Sequence, residues 1–164
     1  MNLYIVRHAE AVPVGGPIEK DADRILSEKG ERDAALMGRV LAQMDSSIGV
    51  IVTSPLKRAL RTGEILGGYV RLPCRVSMHL APGMMTEELL GDLLEMGNGT
   101  SVVAVGHQPD LGMFIGSIIG DSGSAAIEMP PCAVANIRIS GQRADARLAW
   151  LLTPEVLRNS QKGM

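Results

Sequence analysis

"LYIVRHAEA", Leu3 to Ala11, carries four apolar residues directly into Arg7 and His8. An apolar run of this length, rich in β-branched and aromatic side chains, reads as a short buried strand over residues 2–7. Such a strand delivers a cation and an imidazole side by side to its carboxyl end. In open α/β sheets that is the edge at which ligands bind. The rest of the chain is read outward from this placement.

"VPVGGPIEKDAD" (12–23) holds two Pro and two Gly and reads as an exposed loop. Ser27 caps a helix over 28–44, in which Leu36, Met37, Val40, Leu41 and Met44 fall on one stripe. "VIVTS" (50–54) is a second buried strand. Pro55 falls in the first turn of a helix that runs to Leu66 and ends at Gly67 and Gly68. "CRVSM" (74–78) is a weaker strand, and a Leu-rich helix over 86–96 is capped by Thr86. "SVVAV" (101–105) is a strong strand, followed by "GHQPDLG" and a helix to Ile119. "AVANIRI" (133–139) and "ARLAWLL" (146–152) flank "SGQRAD" as a closing antiparallel hairpin. The alternation predicts an α/β fold of three layers. A mostly parallel central sheet carries helices on both faces and ends in that hairpin. A single domain over 1–164 accommodates it.

Composition narrows the function classes. Of the 164 residues 46% are apolar but 2% aromatic, so Leu, Ile, Val, Ala and ten Met must build the core. The net charge is −2 with no basic block, which leaves no stacking, cationic surface for a nucleic acid. Cys74 and Cys132 are far apart and in no metal-ligand spacing, as expected of reduced thiols in a cytoplasmic protein. No run approaches 18 apolar residues, and Arg7 and His8 interrupt the only early one, so neither a membrane span nor a secretory leader is expected.

Three strand ends carry the chemistry. Arg7 and His8 follow the first, Ser54 and then Arg58 the second, and Gly106 and His107 the strand at 101–105. Guanidinium forks match phosphate oxygens, and nearby positive charge keeps an imidazole neutral and nucleophilic. This set can therefore receive a phosphoryl group on His8 while Arg7, Arg58 and His107 hold the equatorial oxygens. No carboxylate cluster for a metal stands out, and no cofactor is expected. Plainer readings exist for each part. An Arg-His pair often ends a strand at the surface. Arg58 lies opposite the stripe of Leu56, Ala59, Leu60 and Gly63, where it faces either a cleft or solvent. His107 can simply start the next helix through its backbone. The convergence of all three on one edge favours the site. His79, with nothing charged beside it in sequence, is read as structural or exposed.

These segments resemble the histidine phosphatase, or phosphoglycerate mutase-like, superfamily. "LYIVRHAEA" is similar to its RHG signature, "VTSPLKRALRT" to its S-P-x-x-R-A-x-x-T segment and "VAVGHQPDLG" to its G-H-x-P element. "DRILSEKG" is similar to its R-x-L-T-x-x-G stretch, and order, spacing and length match best the SixA-type phosphohistidine phosphatases. The resemblance spans residues 2 to about 152. It implies that His8 is the phosphorylated nucleophile, that Arg7, Arg58 and His107 complete the phosphate pocket, and that Arg24 reaches its rim. Ser54 and Thr62 match the pattern as a cap and a packing or hydrogen-bonding position. The signature Gly is Ala9 here, which asks for an ordinary backbone angle. Ester-cleaving members supply a Glu after the third strand as general acid. Here Glu87 and Glu88 stand at a helix start, where a carboxylate is also welcome for the dipole alone. The implied activity is dephosphorylation of a phosphorylated histidine-containing protein. The alternatives are a small-molecule phosphomonoesterase using Glu87 or Glu88, and a non-catalytic phosphoprotein-binding module.

Overall fold

Along the first strand, β1 (Asn2–Arg7), alternate side chains enter opposite cores. Leu3 and Ile5 pack into one cluster, Tyr4 and Val6 into the other, and all four are buried. A strand covered on both faces has no use for polar alternation, which is why this run is continuous. The computed structural model describes residues 1–120, 127–140 and 145–162. Its sheet contains β2 (Ile48–Thr53), β3 (Cys74–Val76), β4 (Ser101–Gly106), β5 (Val134–Ile139) and β6 (Ala146–Leu152) besides β1. The strand order is β3-β2-β4-β1-β5-β6. The β1–β4, β2–β4 and β2–β3 pairings are parallel, while β5 runs antiparallel to both β1 and β6. The expected architecture, a mostly parallel sheet with an antiparallel C-terminal pair, is the one observed. Residues 141–144, most of the turn expected in "SGQRAD", lie outside the described residues.

Helices α1 (Glu28–Met44) and α2 (Lys57–Val70) bury Ala34, Met37, Leu41, Ala59 and Leu66 in the cluster that includes Tyr4 and Val6. On the other face, α3 (Thr86–Gly97) and α4 (Asp110–Ile119) contribute Leu89, Leu93, Leu111, Phe114 and Ile115. Ser27 caps α1 as expected, its Oγ accepting from Gly30 N at 3.0 Å. Among the described residues no helix is long and apolar enough to cross a membrane.

Several boundaries differ from the sequence expectation. Pro55 lies ahead of α2, which begins at Lys57 behind Leu56. Gly67 and Gly68 do not end that helix, which runs on to Val70. Gly67 serves close packing instead: a Cβ there would stand 2.6 Å from the Leu72 carbonyl oxygen. Arg71, at φ 61°, takes the left-handed terminal position a glycine commonly fills. Thr86 is the first residue of α3 rather than its cap. β3, an edge strand with β2 as its one partner, is three residues long. A final helix, α5 (Pro154–Lys162), was not expected; its Leu157 packs against the α1 and α2 side.

Candidate active site

Register brings the three strand ends together. β4 lies between β2 and β1, with Arg7 opposite Gly106 and Thr53 opposite Val105. His8 N donates to Gly106 O (3.0 Å), and Ser54 N donates to Val105 O (2.9 Å). The residues that leave the sheet, His8, Ser54 and His107, therefore emerge side by side. Thr62 then ties the first turn to α2. Its Oγ1 accepts from Ala9 N (3.0 Å) and donates to Arg58 O (2.7 Å). Ala9 keeps a backbone angle outside the left-handed region, so the methyl in place of the signature glycine is accommodated without strain.

The hydrogen bonds of His8 define its tautomer. Nδ1 stands 2.7 Å from Ala9 O, which can only accept, and Nε2 stands 3.1 Å from Arg58 Nε, which can only donate. The proton is therefore on Nδ1 and the lone pair on Nε2. Burial pushes the His8 pKa down to about 3; the Ala9 bond opposes this, and His107, Arg58 and Arg7 add to it. Neighbouring positive charge, expected from the sequence to keep this imidazole neutral, is the lesser cause, and desolvation is the larger. His107 Nε2 lies 2.7 Å from Ser54 Oγ, which also accepts from Leu56 N. When the Ser54 hydroxyl donates to Nε2, the His107 proton sits on Nδ1, the nitrogen without a protein partner. Burial first, then Arg58, lowers the His107 pKa to about 4. The two imidazoles lie 5.2 Å apart between ring centroids.

Arg7 donates through Nη1 to Met129 O (2.8 Å). Its Nε and the Nδ1 of His107 are buried without a partner. Unpaired buried donors cost about 1–3 kcal/mol each unless an acceptor arrives. Both belong to residues lining one cleft of about 470 Å³, together with His8 and Arg58. An oxyanion seated there would supply the missing acceptors. Arg58 is buried and lies on the cleft side of its helix, which resolves the choice the periodicity left open.

Arg24 also lines the cleft, but its donors serve the chain itself: Nε to Val12 O, Nη2 to Ala11 O and Nη1 to Asp21 Oδ1. Asp21, inside the segment 12–23 that reads as an exposed loop, takes both terminal nitrogens of Arg58. Its one legible signal was its position three residues before Arg24 in "DADR". Glu87 and Glu88 do not line the cleft. Glu88 lies 3.8 Å from His79 Nε2, and Asp92 accepts at His79 Nδ1 (2.5 Å). His79, partly exposed as expected, is flanked by carboxylates remote in sequence, because the turn at Met78–Leu80 folds back on α3. Among the described residues no three His, Cys, Asp or Glu are grouped so as to hold a metal ion.

The model of the histidine phosphatase superfamily, branch 1, matches residues 3–81. An uncharacterized protein of Picosynechococcus sp. is 33% identical over 149 residues, covering 89% of this chain and 90% of its own. The chain belongs to the histidine phosphatase superfamily. An uncharacterized Mycobacterium tuberculosis protein is 30% identical over 85% of this chain and 90% of its own. Among solved structures, the protein histidine phosphatase SixA complexed with tungstate superposes with a TM-score of 0.85 at 24% identity, covering 96% of this chain and 99% of that one. A mycobacterial glucosyl-3-phosphoglycerate phosphatase superposes at 0.70 with 18% identity, over 91% and 97%. At those identities both likenesses concern the fold.

The two neutral imidazoles of this histidine phosphatase make its stability depend on pH. Folded values near 3 and 4 lie below the ordinary 6.5, so between these limits the unfolded chain binds more protons. This contribution is complete above pH 6.5 and is lost as the pH falls toward 4. Urea denaturation from pH 7 to 4.5 should show a falling midpoint, with a slope of up to about 1.4 kcal/mol per pH unit for each histidine. His107→Gln should reduce that slope by roughly half; an unchanged slope would contradict the assignment.

Proposed function

We propose that this phosphatase removes phosphoryl groups from protein phosphohistidine through a covalent intermediate on His8 Nε2. The lone pair of Nε2 attacks phosphorus, the bond from phosphorus to the substrate nitrogen breaks, and the departing imidazole takes a proton from water. Arg58 turns its Nε–H from His8 to the phosphoryl oxygens, and Arg7 Nε–H and His107 Nδ1–H receive the others. Water then forms the new phosphorus–oxygen bond as the bond to Nε2 breaks, releasing inorganic phosphate and neutral His8.

The observation that carries the substrate class is the state of the cleft's carboxylates. Arg24 first, and then Arg58, hold the Asp21 carboxyl below its usual range. Lys29 and Ser27 do the same for Glu10. Asp110 Oδ2 accepts from Gly83 N at 2.8 Å. Asp21 and Glu10, held in their charged form, are not suited to carry a proton to a leaving group. An alkoxide needs such an acid, whereas a phosphoramidate nitrogen protonates readily and leaves unaided. The fold shared with SixA supports the same reading.

The test sets a phosphohistidine-bearing phosphotransfer domain against 3-phosphoglycerate, glucose 6-phosphate and aryl phosphates. The expected kcat/KM is at least about 100-fold higher for the phosphorylated domain, and ester rates should fall steeply as the leaving-group pKa rises. A flat dependence, or 3-phosphoglycerate matching the domain, would reveal a general acid and favour a small-molecule esterase.

A further inference from the structure

Arg58 is nearly enclosed, its side chain 6% exposed, yet the residue on its terminal nitrogens is 60% exposed. Asp21 contributes two atoms to that guanidinium. Its backbone oxygen accepts from Nη1 at 2.7 Å and its Oδ2 from Nη2 at 2.9 Å. The other carboxylate oxygen, Oδ1, accepts from Arg24 Nη1 at 3.1 Å. Arg24 is itself anchored to Val12 O and Ala11 O, so the carboxylate is held between two arginines on the wall of the cleft. With Nε on His8, three of the five N–H groups of Arg58 are engaged before any ligand arrives.

Two consequences follow from Coulomb attraction at this range. A fork held at three points presents a fixed orientation to His8, which lowers the reorganisation needed when charge develops. A carboxylate on the same fork also repels an incoming oxyanion and competes with it for Nη2. We propose that Asp21 is a positioning residue for Arg58 whose carboxylate competes with phosphoryl oxygens, so that the product phosphate is held weakly and released readily. The proposal rests on the reading of the cleft as a phosphoryl site, though not on which phosphorylated molecule is the substrate. It gives the exposed 12–23 loop a task beyond connection: it delivers a tethered anion to a buried cation.

The experiment measures binding of inorganic phosphate by calorimetry, at about 20 mM and about 500 mM salt, to the wild type, Asp21→Asn and Asp21→Glu. Asp21→Asn keeps the shape and an acceptor but removes the charge. It should bind phosphate about tenfold more tightly at low salt, with the advantage shrinking at high salt. In turnover, KM and the phosphate inhibition constant should fall together while kcat also falls. Asp21→Glu, with the charge restored, should return phosphate affinity to within about threefold of the wild type. A residue that only folds the loop would not produce this split, and thermal melting of each variant separates folding from binding. Equal or weaker phosphate binding by Asp21→Asn overturns the proposal, as does Asp21→Glu binding as tightly as Asp21→Asn. If all three proteins fail to bind phosphate, the phosphoryl-site reading falls, and this proposal with it.

Discussion

His8→Ala should lose phosphatase activity by at least about 10⁴-fold, as removal of a covalent nucleophile does elsewhere. The expectation comes from the ring's own bonds. Nε2 is the ring nitrogen that carries the lone pair, accepting from Arg58 Nε in the resting site, since Nδ1 carries the proton given to Ala9 O. Its pKa near 3 means that at pH 7 the nucleophile needs no prior deprotonation. No other group replaces it: Arg7 and Arg58 have no lone pair to offer, and His107 Nε2 is held by Ser54. The backbone of residue 8 keeps its bonds to Gly106 and Cys132 whatever the side chain, so the variant should fold. Two measurements check this. Brief incubation with a radiolabelled phosphoramidate, quenched in alkali, should label the wild type and not the variant, and the label should be lost in acid. Turnover of the variant within tenfold of the wild type would rule out the covalent route. Phosphate should still bind to the variant, because Arg7, Arg58 and His107 remain.

Arg58→Ala should reduce kcat by about 10²- to 10³-fold, or roughly 3–4 kcal/mol of transition-state stabilisation, the scale found for a buried oxyanion donor. The loss is large because this guanidinium, itself buried, links His8 Nε2 to Asp21. Without it the Asp21 carboxylate keeps Arg24 alone. Arg58→Lys should rescue little, since an ammonium cannot span the three directions a planar fork serves. The pH profile offers a second readout. Arg58 is one of the charges that lower the His8 pKa, behind burial and His107, so its removal should move the acid limb of kcat/KM upward. A full return to 6.5 is not expected, because burial remains. An unchanged kcat, or a limb that does not move, would place Arg58 outside the reaction.

Much of this site was legible because its parts lie next to strand ends that local pattern identifies. "LYIV", "VIVT" and "SVVAV" are continuous apolar runs, and the residues that follow a buried strand must leave the sheet at its ligand-binding edge. Ser27 as a cap, and the antiparallel pair at the C-terminus, were equally local. The misses share a different character. Gly67 and Gly68 read as a terminator because sequence cannot show that Leu72 O lies against the helix there. His79 had no charged neighbour in sequence because Glu88 and Asp92 reach it from the following helix. Helix α5 has short apolar content and becomes stable by docking on α1, with Arg158 paired to Asp33.

By itself the sequence determined which residues stand at the sheet's edge: apolar periodicity is a property of consecutive side chains, and it places Arg7, His8, Ser54 and His107 there without any knowledge of their neighbours. Only the tertiary structure decided what those residues are. The His8 tautomer depends on a carbonyl one residue on and a guanidinium fifty positions away. Its neutrality depends on burial, and the engagement of Arg58 depends on a loop residue with no periodic signal. Protonation and hydrogen-bond commitment are set by distance and local dielectric, and those exist only once segments remote in the chain have packed together.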